Sequence, residues 1–408
     1  MKTRPHDIVI VGAGIVGLAS AMKLLERHPG LRLAIVDKED TIAAHQTGHN
    51  SAVLHRGIYY APGSLKARLC VTGAEELVRF CGERGIPVDA CGKVIVAIDE
   101  SELPALDTLE QRGVANGVPG LERIGPERLA EIEPHVRGVA ALLSPQTGIV
   151  DFRLVAAAYA DVIRERGGEI HLSHGVRAIH GSNGSLVVET DGGELTTRHV
   201  ITCAGLHSDR VAALTDPGAD HALRIVPFRG DYYVLRPEAR HLARNLIYPI
   251  PDPRFPFLGV HFTRRPDGEV WAGPNAVLAF AREGYRRTDF SARDLASTLG
   301  FRGFWRMAFR YWRMGAEEML RDYSKAAFLK ALQRYVPDVT SDDLLPGPSG
   351  VRAQAVRLDG SLVDDFVVQV SAGGRAIHVR NAPSPAATSS LAIGSLIADR
   401  ADETFQLV

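Results

Sequence analysis

Three glycines, Gly12, Gly14 and Gly17, stand in GxGxxG spacing, and a carboxylate, Asp37, follows twenty residues after the last. Such a turn is built for phosphates. The first glycine permits a tight turn, the second lets backbone amides approach a pyrophosphate, and the third lets helix and strand pack closely. An acid at that distance accepts hydrogen bonds from ribose hydroxyls and repels a 2′-phosphate. The chemistry implied is the binding of an unphosphorylated adenine dinucleotide, FAD or NAD.

A lone glycine motif is weak, because such turns also occur for steric reasons alone. Here the flanking elements are in register with it. DIVIV (Asp7 to Val11) is a β-branched run that reads as a buried parallel strand. Leu18 to Arg27 carries helical spacing (Leu18, Met22, Leu25) and stops at HisProGly, so the helix aims its N-terminal amides at a diphosphate. LRLAIV (Leu31 to Val36) is the second strand, ended by Asp37. A secretory signal is the competing reading of the first 25 residues, but no convincing small-residue cleavage site follows.

At 408 residues the chain has room for two domains, or one with a long insertion. A net charge of −1 gives no overall field to attract nucleic acid. Cys70, Cys81, Cys91 and Cys203 have no metal-type spacing, so they read as reduced thiols of a cytoplasmic protein and no metal site is expected. No apolar stretch approaches the length that spans a bilayer.

After Asp37 a long loop rich in His, Thr, Asn and Tyr leads into a helix from Lys66 to Arg84. A strand (Gly92 to Ile98) and a helix (Glu102 to Asn116) come next, then a helix from Phe152 to Arg166. From Val226 the pattern alternates in antiparallel fashion (FRGDYYVL, LGVHFT, EVWAGP). A helical insertion is expected at about 292–336, and a last helix from Ala386 to Asp399.

Several stretches are long enough to be specific. They are HQTGHNSAVLHRGIYY (His45 to Tyr60), PGSLKARLC (Pro62 to Cys70), FRGDYY (Phe228 to Tyr233) and LIYPIPDPRFPFLGVHFT (Leu246 to Thr263). GPNAVLAF (Gly273 to Phe280), GVRAQAV (Gly350 to Val356) and NAPSPAATSS (Asn381 to Ser390) complete the set. Over nearly the whole chain these resemble L-2-hydroxyglutarate dehydrogenases and oxidases, a branch of the D-amino-acid-oxidase-like FAD proteins.

The resemblance implies an α/β fold. A discontinuous FAD-binding Rossmann-like domain of the glutathione-reductase type would comprise residues 1–91, 145–225 and 346–408. An α+β substrate domain on a mixed or antiparallel sheet would comprise 92–144 and 226–345. The implied reaction is oxidation of L-2-hydroxyglutarate to 2-oxoglutarate by hydride transfer to flavin N5, with electrons passed on to quinone or oxygen. The family usually carries Gly at the position of Ala52 and a small residue at Arg56. Ala52 is expected to tighten the flavin pocket, and Arg56 either to pair with a substrate carboxylate or to narrow access for the acceptor.

Oxidising a 2-hydroxy acid takes carboxylate anchors, a base for the hydroxyl proton, and a flavin held against the Cα–H. Arg352 is the first choice as carboxylate clamp, since a guanidinium pairs bidentately; it also counts among the cofactor contacts. Tyr248 and Tyr60 are hydroxyl donors and Lys66 a clamp for the distal carboxylate. For each, an exposed cation or a half-buried tyrosine is the bland alternative. His261, on the strand expected over the flavin, leads as base, with His55 as competitor and His49 orienting the loop or flavin. Lys38, Thr47, Asn50, Ser51, Val176, Ala204, Gly205 and Pro383 follow by resemblance as cofactor contacts. Ala386 and Thr388 would begin a helix whose dipole faces the flavin locus that becomes negative on reduction.

Phe301, Phe304, Trp305, Ala308, Phe309 and Trp312 share a helical face beside Arg302, Arg306, Arg310 and Arg313. Core or oligomer packing is the favoured reading. A membrane interface, on the inner face of the cytoplasmic membrane, is its competitor. Two other functions stay open: an amine or amino-acid oxidase on the same scaffold, and a non-catalytic flavin-binding subunit. NAD is disfavoured because the C-terminal segment returns to a flavin-type site.

Overall fold

In the computed structural model, which describes residues 4–182, 184–215, 223–251 and 258–407, His6–Val11 is the central strand of a parallel sheet. It pairs with Leu33–Val36 on one side and Gly193–Thr202 on the other. Glu169–His171 and Ala376–Asn381 extend the parallel order at the two ends. The first half of Gly193–Thr202 also closes an antiparallel meander with Val176–Ser182 and Ser185–Thr190. Helices Ile15–Arg27, Phe152–Glu165 and Ser390–Phe405 bury apolar faces in one core. The first and last of these cross so closely that a Cβ on Gly394 would lie 2.7 Å from the Ala19 carbonyl oxygen.

A nine-stranded sheet faces this domain, and most of it is antiparallel. Its order is Val277–Leu278, Leu223–Leu235, Val270–Gly273, His261–Arg264, Leu246–Pro249, Lys93–Ala97, Ala140–Ser144, Glu122–Ile124. Leu344–Arg357 joins from the far side along nearly the whole of Leu223–Leu235. Strand alternation gives the sheet two different faces. Val94, Val96, Ile247 and Phe262 pack on one side against Phe328 and Leu332. Ile95, Leu246 and Tyr248 lie on the other, with Leu106 and Leu109 of helix Leu103–Ala115.

Three expectations change, and the helical insertion expected at about 292–336 is resolved into its parts. The boundary expected at residue 346 falls inside Leu344–Arg357, a strand of the roof, and the chain rejoins the first sheet only at Val367–Val370. The last helix starts at Ser390 rather than Ala386, because Pro383 and Pro385 hold the preceding residues in turns. The insertion is four short helices, Ala292–Leu299, Arg302–Arg310, Trp312–Tyr323 and Lys325–Leu332. Its aromatics divide: Phe301 and Phe304 are buried, whereas Trp305, Phe309 and Trp312 are 48%, 76% and 62% exposed. Residues 252–257 of the LIYPIPDPRFPFLGVHFT stretch lie outside the described residues. No helix among the described residues is long and apolar enough to cross a membrane.

Candidate active site

Between the two sheets runs one elongated cavity of about 1350 Å³. That exceeds the roughly 300–1,000 Å³ typical of a single small-molecule site, so there is room for a dinucleotide and a substrate together. Of the candidate catalytic, substrate and cofactor residues expected from the sequence, all but Gly17 line it.

Gly17 has a different task. A Cβ there would sit 2.0 Å from the Gly12 carbonyl oxygen, so its hydrogen lets the helix press against the turn. Gly12 needs its freedom for the backbone, with φ of +112° and Cys203 carbonyl oxygen 2.5 Å from any added Cβ. Gly14 needs neither. Its φ is −77°, and a Cβ there would meet only Thr47 Oγ1, at 3.5 Å. The space it leaves opens on the cavity at a helix N-terminus whose N-cap has no side-chain hydrogen bond. A pyrophosphate fits that cradle.

Asp37 shapes the turn from below. Its carboxylate accepts from the amides of Ala13 at 2.6 Å and Glu39 at 2.9 Å, one on each oxygen. Each oxygen keeps a lone pair for a ribose hydroxyl. Thr47 Oγ1 accepts from the Ile15 amide at 3.0 Å and so ties the long loop to the helix start. Val176, Ala204 and Gly205 line this same end. Lys38 pairs with Glu283 at 2.8 Å, and Glu283 also meets His207 Nε2 at 2.8 Å. Burial works against that carboxylate's charge, yet the hydrogen bonds from His207 and Lys38 draw it down to about 2. Glu39, His45 and Glu283 cluster closely enough to hold a cation, but the Lys38 ammonium already stands among them.

In the middle, His49 stacks on Tyr285 with ring centroids 4.1 Å apart, and its Nδ1 donates to the Ser349 carbonyl at 3.3 Å. Asn50 folds back to accept from the Ala52 amide at 2.7 Å, and Ser51 lines the wall beside it. The two departures in this loop turn away from the cavity. Ala52 is buried with φ of +61°, and its methyl does not line the pocket. Arg56 donates from Nε to the Gln146 carbonyl at 2.8 Å, so it neither reaches a substrate nor narrows the cavity. Pro383, Ala386 and Thr388 close the cavity from the C-terminal side. Thr388 Oγ1 accepts from the His55 amide at 3.1 Å. The buried Asn381 Oδ1, Ser389 Oγ and Tyr59 Oη have no hydrogen-bond partner in the protein.

The far end gathers His55, Tyr60, Lys66, Tyr248, His261 and Arg352. His261 is buried, tilted against the Tyr248 ring, and its Nδ1 lies 2.8 Å from the Gly259 carbonyl. A carbonyl only accepts, so Nδ1 carries the proton and Nε2 is left with its lone pair. Burial, then the charges of Lys93 and Arg352, outweigh that hydrogen bond and hold this imidazole at about 3. His55 is likewise held well below its usual value, first by burial and then by Lys93. Both imidazoles are therefore neutral and able to accept a proton. Burial pushes the Tyr248 and Tyr60 hydroxyls up, so both remain donors. Arg352 Nη1 donates to the Asn275 carbonyl at 3.3 Å, which steers the guanidinium. Lys66 Nζ meets Asp364 at 2.7 Å, so its charge is already answered by an exposed acid.

Residues that the sequence leaves unmarked also contribute. Asp365 accepts from the Leu65 and Lys66 amides at 3.0 and 2.9 Å and caps helix Leu65–Glu83. Lys93 is 1% exposed beneath Tyr248. Its only signal is that it is the one charge on an apolar strand, KVIVA.

Comparison with known proteins gives the family and the fold. The family described as FAD dependent oxidoreductase matches residues 7–400. An L-2-hydroxyglutarate dehydrogenase of Nematostella vectensis, named as mitochondrial, is 51% identical over 98% of this chain and 91% of its own. One from Indibacter alkaliphilus is 48% identical over 98% and 99%. Among solved structures, FAD-bound L-α-glycerophosphate oxidase from Mycoplasma pneumoniae superposes with a TM-score of 0.79 at 22% identity, over 98% of this chain and 95% of its own. Glycine oxidase from Geobacillus kaustophilus gives 0.72 at 19%, over 98% and 96%. These last two speak for the fold alone.

Proposed function

The chain belongs to the L-2-hydroxyglutarate dehydrogenase family of FAD-dependent oxidoreductases, and from that premise we propose that it oxidises L-2-hydroxyglutarate to 2-oxoglutarate. FAD, once bound along the cavity, supplies the hydride acceptor. The observation that carries the reading is a neutral, tautomer-fixed His261 beside two phenol donors and a half-buried guanidinium at one end of a dinucleotide-sized cavity.

The chain's own residues do the rest. Gly14 presents its backbone amide to the pyrophosphate and Gly12, whose own amide donates to the Val36 carbonyl at 2.8 Å, makes the turn, while Asp37 and Lys38 face the ribose end with Val176, Ala204 and Gly205. Thr47, His49, Asn50 and Ser51 line the middle, opposite Pro383, Ala386 and Thr388. Arg352 takes the carboxylate next to the carbinol, because a planar fork fixes its orientation as well as its charge. Tyr248 and Tyr60 donate to the same end of the substrate. His261 Nε2 accepts the hydroxyl proton, and an oxygen that has lost it can expel hydride from its carbon. Burial of these groups excludes water and strengthens each charge interaction.

A steady-state assay with a dye acceptor tests this. The L-enantiomer should yield 2-oxoglutarate one for one, and the D-enantiomer none. Turnover of a small amino acid with L-2-hydroxyglutarate inert would favour the amine-oxidase reading.

The electrons then pass to quinone or oxygen, and the exposed Trp305, Phe309 and Trp312 beside Arg302, Arg306, Arg310 and Arg313 bring the protein to a membrane surface. Flotation with anionic liposomes at low salt should carry the protein upward. Failure to float removes the membrane contact.

A further inference from the structure

We propose that Lys93 and Tyr59 form the subsite for the substrate's second carboxylate and set the preference for a diacid over a monoacid. The inference rests on the proposed oxidation of L-2-hydroxyglutarate and adds to it the residues that read the far end of that molecule.

Lys93 occupies an unusual position. It is 1% exposed, yet no acid among the described residues pairs with it. It pairs across the sheet with Leu246 and, by alternation, leaves the sheet on the same side as Ile95 and Tyr248, where it stands behind the Tyr248 ring that lines the cavity. Its ammonium lies 4.2 Å from the ring centre of Tyr248 and 5.4 Å from that of Tyr59. Both rings line the cavity.

An unpaired buried ammonium is costly, and the cation–π contacts with Tyr248 and Tyr59 relieve that cost only in part, since they supply no hydrogen-bond acceptor. Tyr59 and His55 approach from the long loop, Cys70 from helix Leu65–Glu83, Cys91 from the preceding turn, and Tyr248 and His261 from the roof. None is an anion at neutral pH. Burial brings Lys93 down to about 7, the two thiols opposing only weakly. Tyr59 Oη is itself buried without a partner. A cation and a hydroxyl donor, both unsatisfied, are a matched pair for the two oxygens of a carboxylate. Lys66, the other lysine at this end, is already engaged by Asp364. His261 feels both Lys93 and Arg352. Tyr248 touches both His261, at 3.9 Å between ring centroids, and the Lys93 ammonium, at 4.2 Å from its ring centre, so a carbinol at His261 would have one carboxylate on the Lys93 side.

The test compares anaerobic flavin reduction by L-2-hydroxyglutarate and by its chain-matched monoacid, L-2-hydroxypentanoate. In Lys93→Met, the half-saturating concentration of the diacid should rise about thirtyfold or more, with that of the monoacid changing less than threefold. Tyr59→Phe, which removes one oxygen only, should weaken the diacid about tenfold and spare the monoacid. Equal losses for both acids, or no loss for either, overturn the assignment. Calorimetry on the wild-type holoenzyme is independent of any variant. Binding of 2-oxoglutarate at pH 8, in buffers of different ionisation heat, should draw in a net fraction of a proton as Lys93 becomes charged. No proton uptake contradicts the proposal. If the wild-type flavin is reduced by neither acid, the reaction assigned above fails instead.

Discussion

His261 and Tyr248 meet with ring centroids 3.9 Å apart and planes tilted by 32°, while Gly259 holds the Nδ1 proton of the same imidazole. The ring can therefore neither turn nor change tautomer without losing a contact. Replacing His261 with Ala should lower kcat about a hundredfold or more and leave the yellow cofactor bound. His55→Ala is the comparison, since its ring sits at the same end. Normal turnover in both variants would mean that neither accepts the proton.

The same burial makes a prediction about pH. His261 stands at about 3, below its ordinary value, and His55 is also held down. A base with a lowered value keeps its lone pair at every pH above that value, so kcat should show no acid limb from either group between pH 5 and 8. Stability responds differently. As pH falls below about 6.5 the unfolded chain takes up protons that the folded one refuses, costing at most about 1.4 kcal/mol per pH unit per group. Thermal unfolding should therefore occur at lower temperature at pH 5 than at pH 7. An acid limb in kcat near 6.5 would instead mark an ordinary solvated histidine as the base.

Gly14→Ala separates folding from cofactor binding. The added methyl meets only Thr47 Oγ1 at 3.5 Å, so the chain should fold with its melting temperature measured free of cofactor unchanged. It should emerge colourless, because the methyl occupies the pyrophosphate cradle. Retained flavin would show that the cradle lies elsewhere.

Ala52 holds a left-handed backbone, φ of +61°, where glycine is at ease. Ala52→Gly relieves about 1–2 kcal/mol of strain and returns about 0.5–1 kcal/mol in unfolded-chain entropy. A small net gain, read as a higher urea midpoint with kcat unchanged, is the expected result. A lower midpoint would show that the buried methyl matters more for packing than the backbone does for strain.

The opening unit was legible because it is local: strand, turn, helix and acid follow one another within residues 6–37, and each constrains the next. The candidate site was partly legible for a different reason, since its loop residues carry chemistry that no core requires. What stayed hidden depends on pairing across the chain. Asp365 caps a helix that begins three hundred residues earlier, and no local spacing announces that. Lys93 reads as one charge on an apolar strand until Leu246–Pro249 is laid beside it. Arg56 reads as a carboxylate clamp or a barrier to the acceptor until Gln146 comes within reach of its guanidinium. Leu344–Arg357 belongs to the roof only because Leu223–Leu235 needs a partner on that side.

The account's central claim is that this cavity oxidises an L-2-hydroxy diacid at a bound flavin. Its most direct test is to add L-2-hydroxyglutarate anaerobically to the FAD-loaded protein and follow the flavin's visible absorbance. Complete bleaching, with one 2-oxoglutarate formed per flavin and no bleaching by the D-enantiomer, is the predicted result. A flavin that stays yellow with the L-diacid, yet bleaches with an amino acid, would contradict the account.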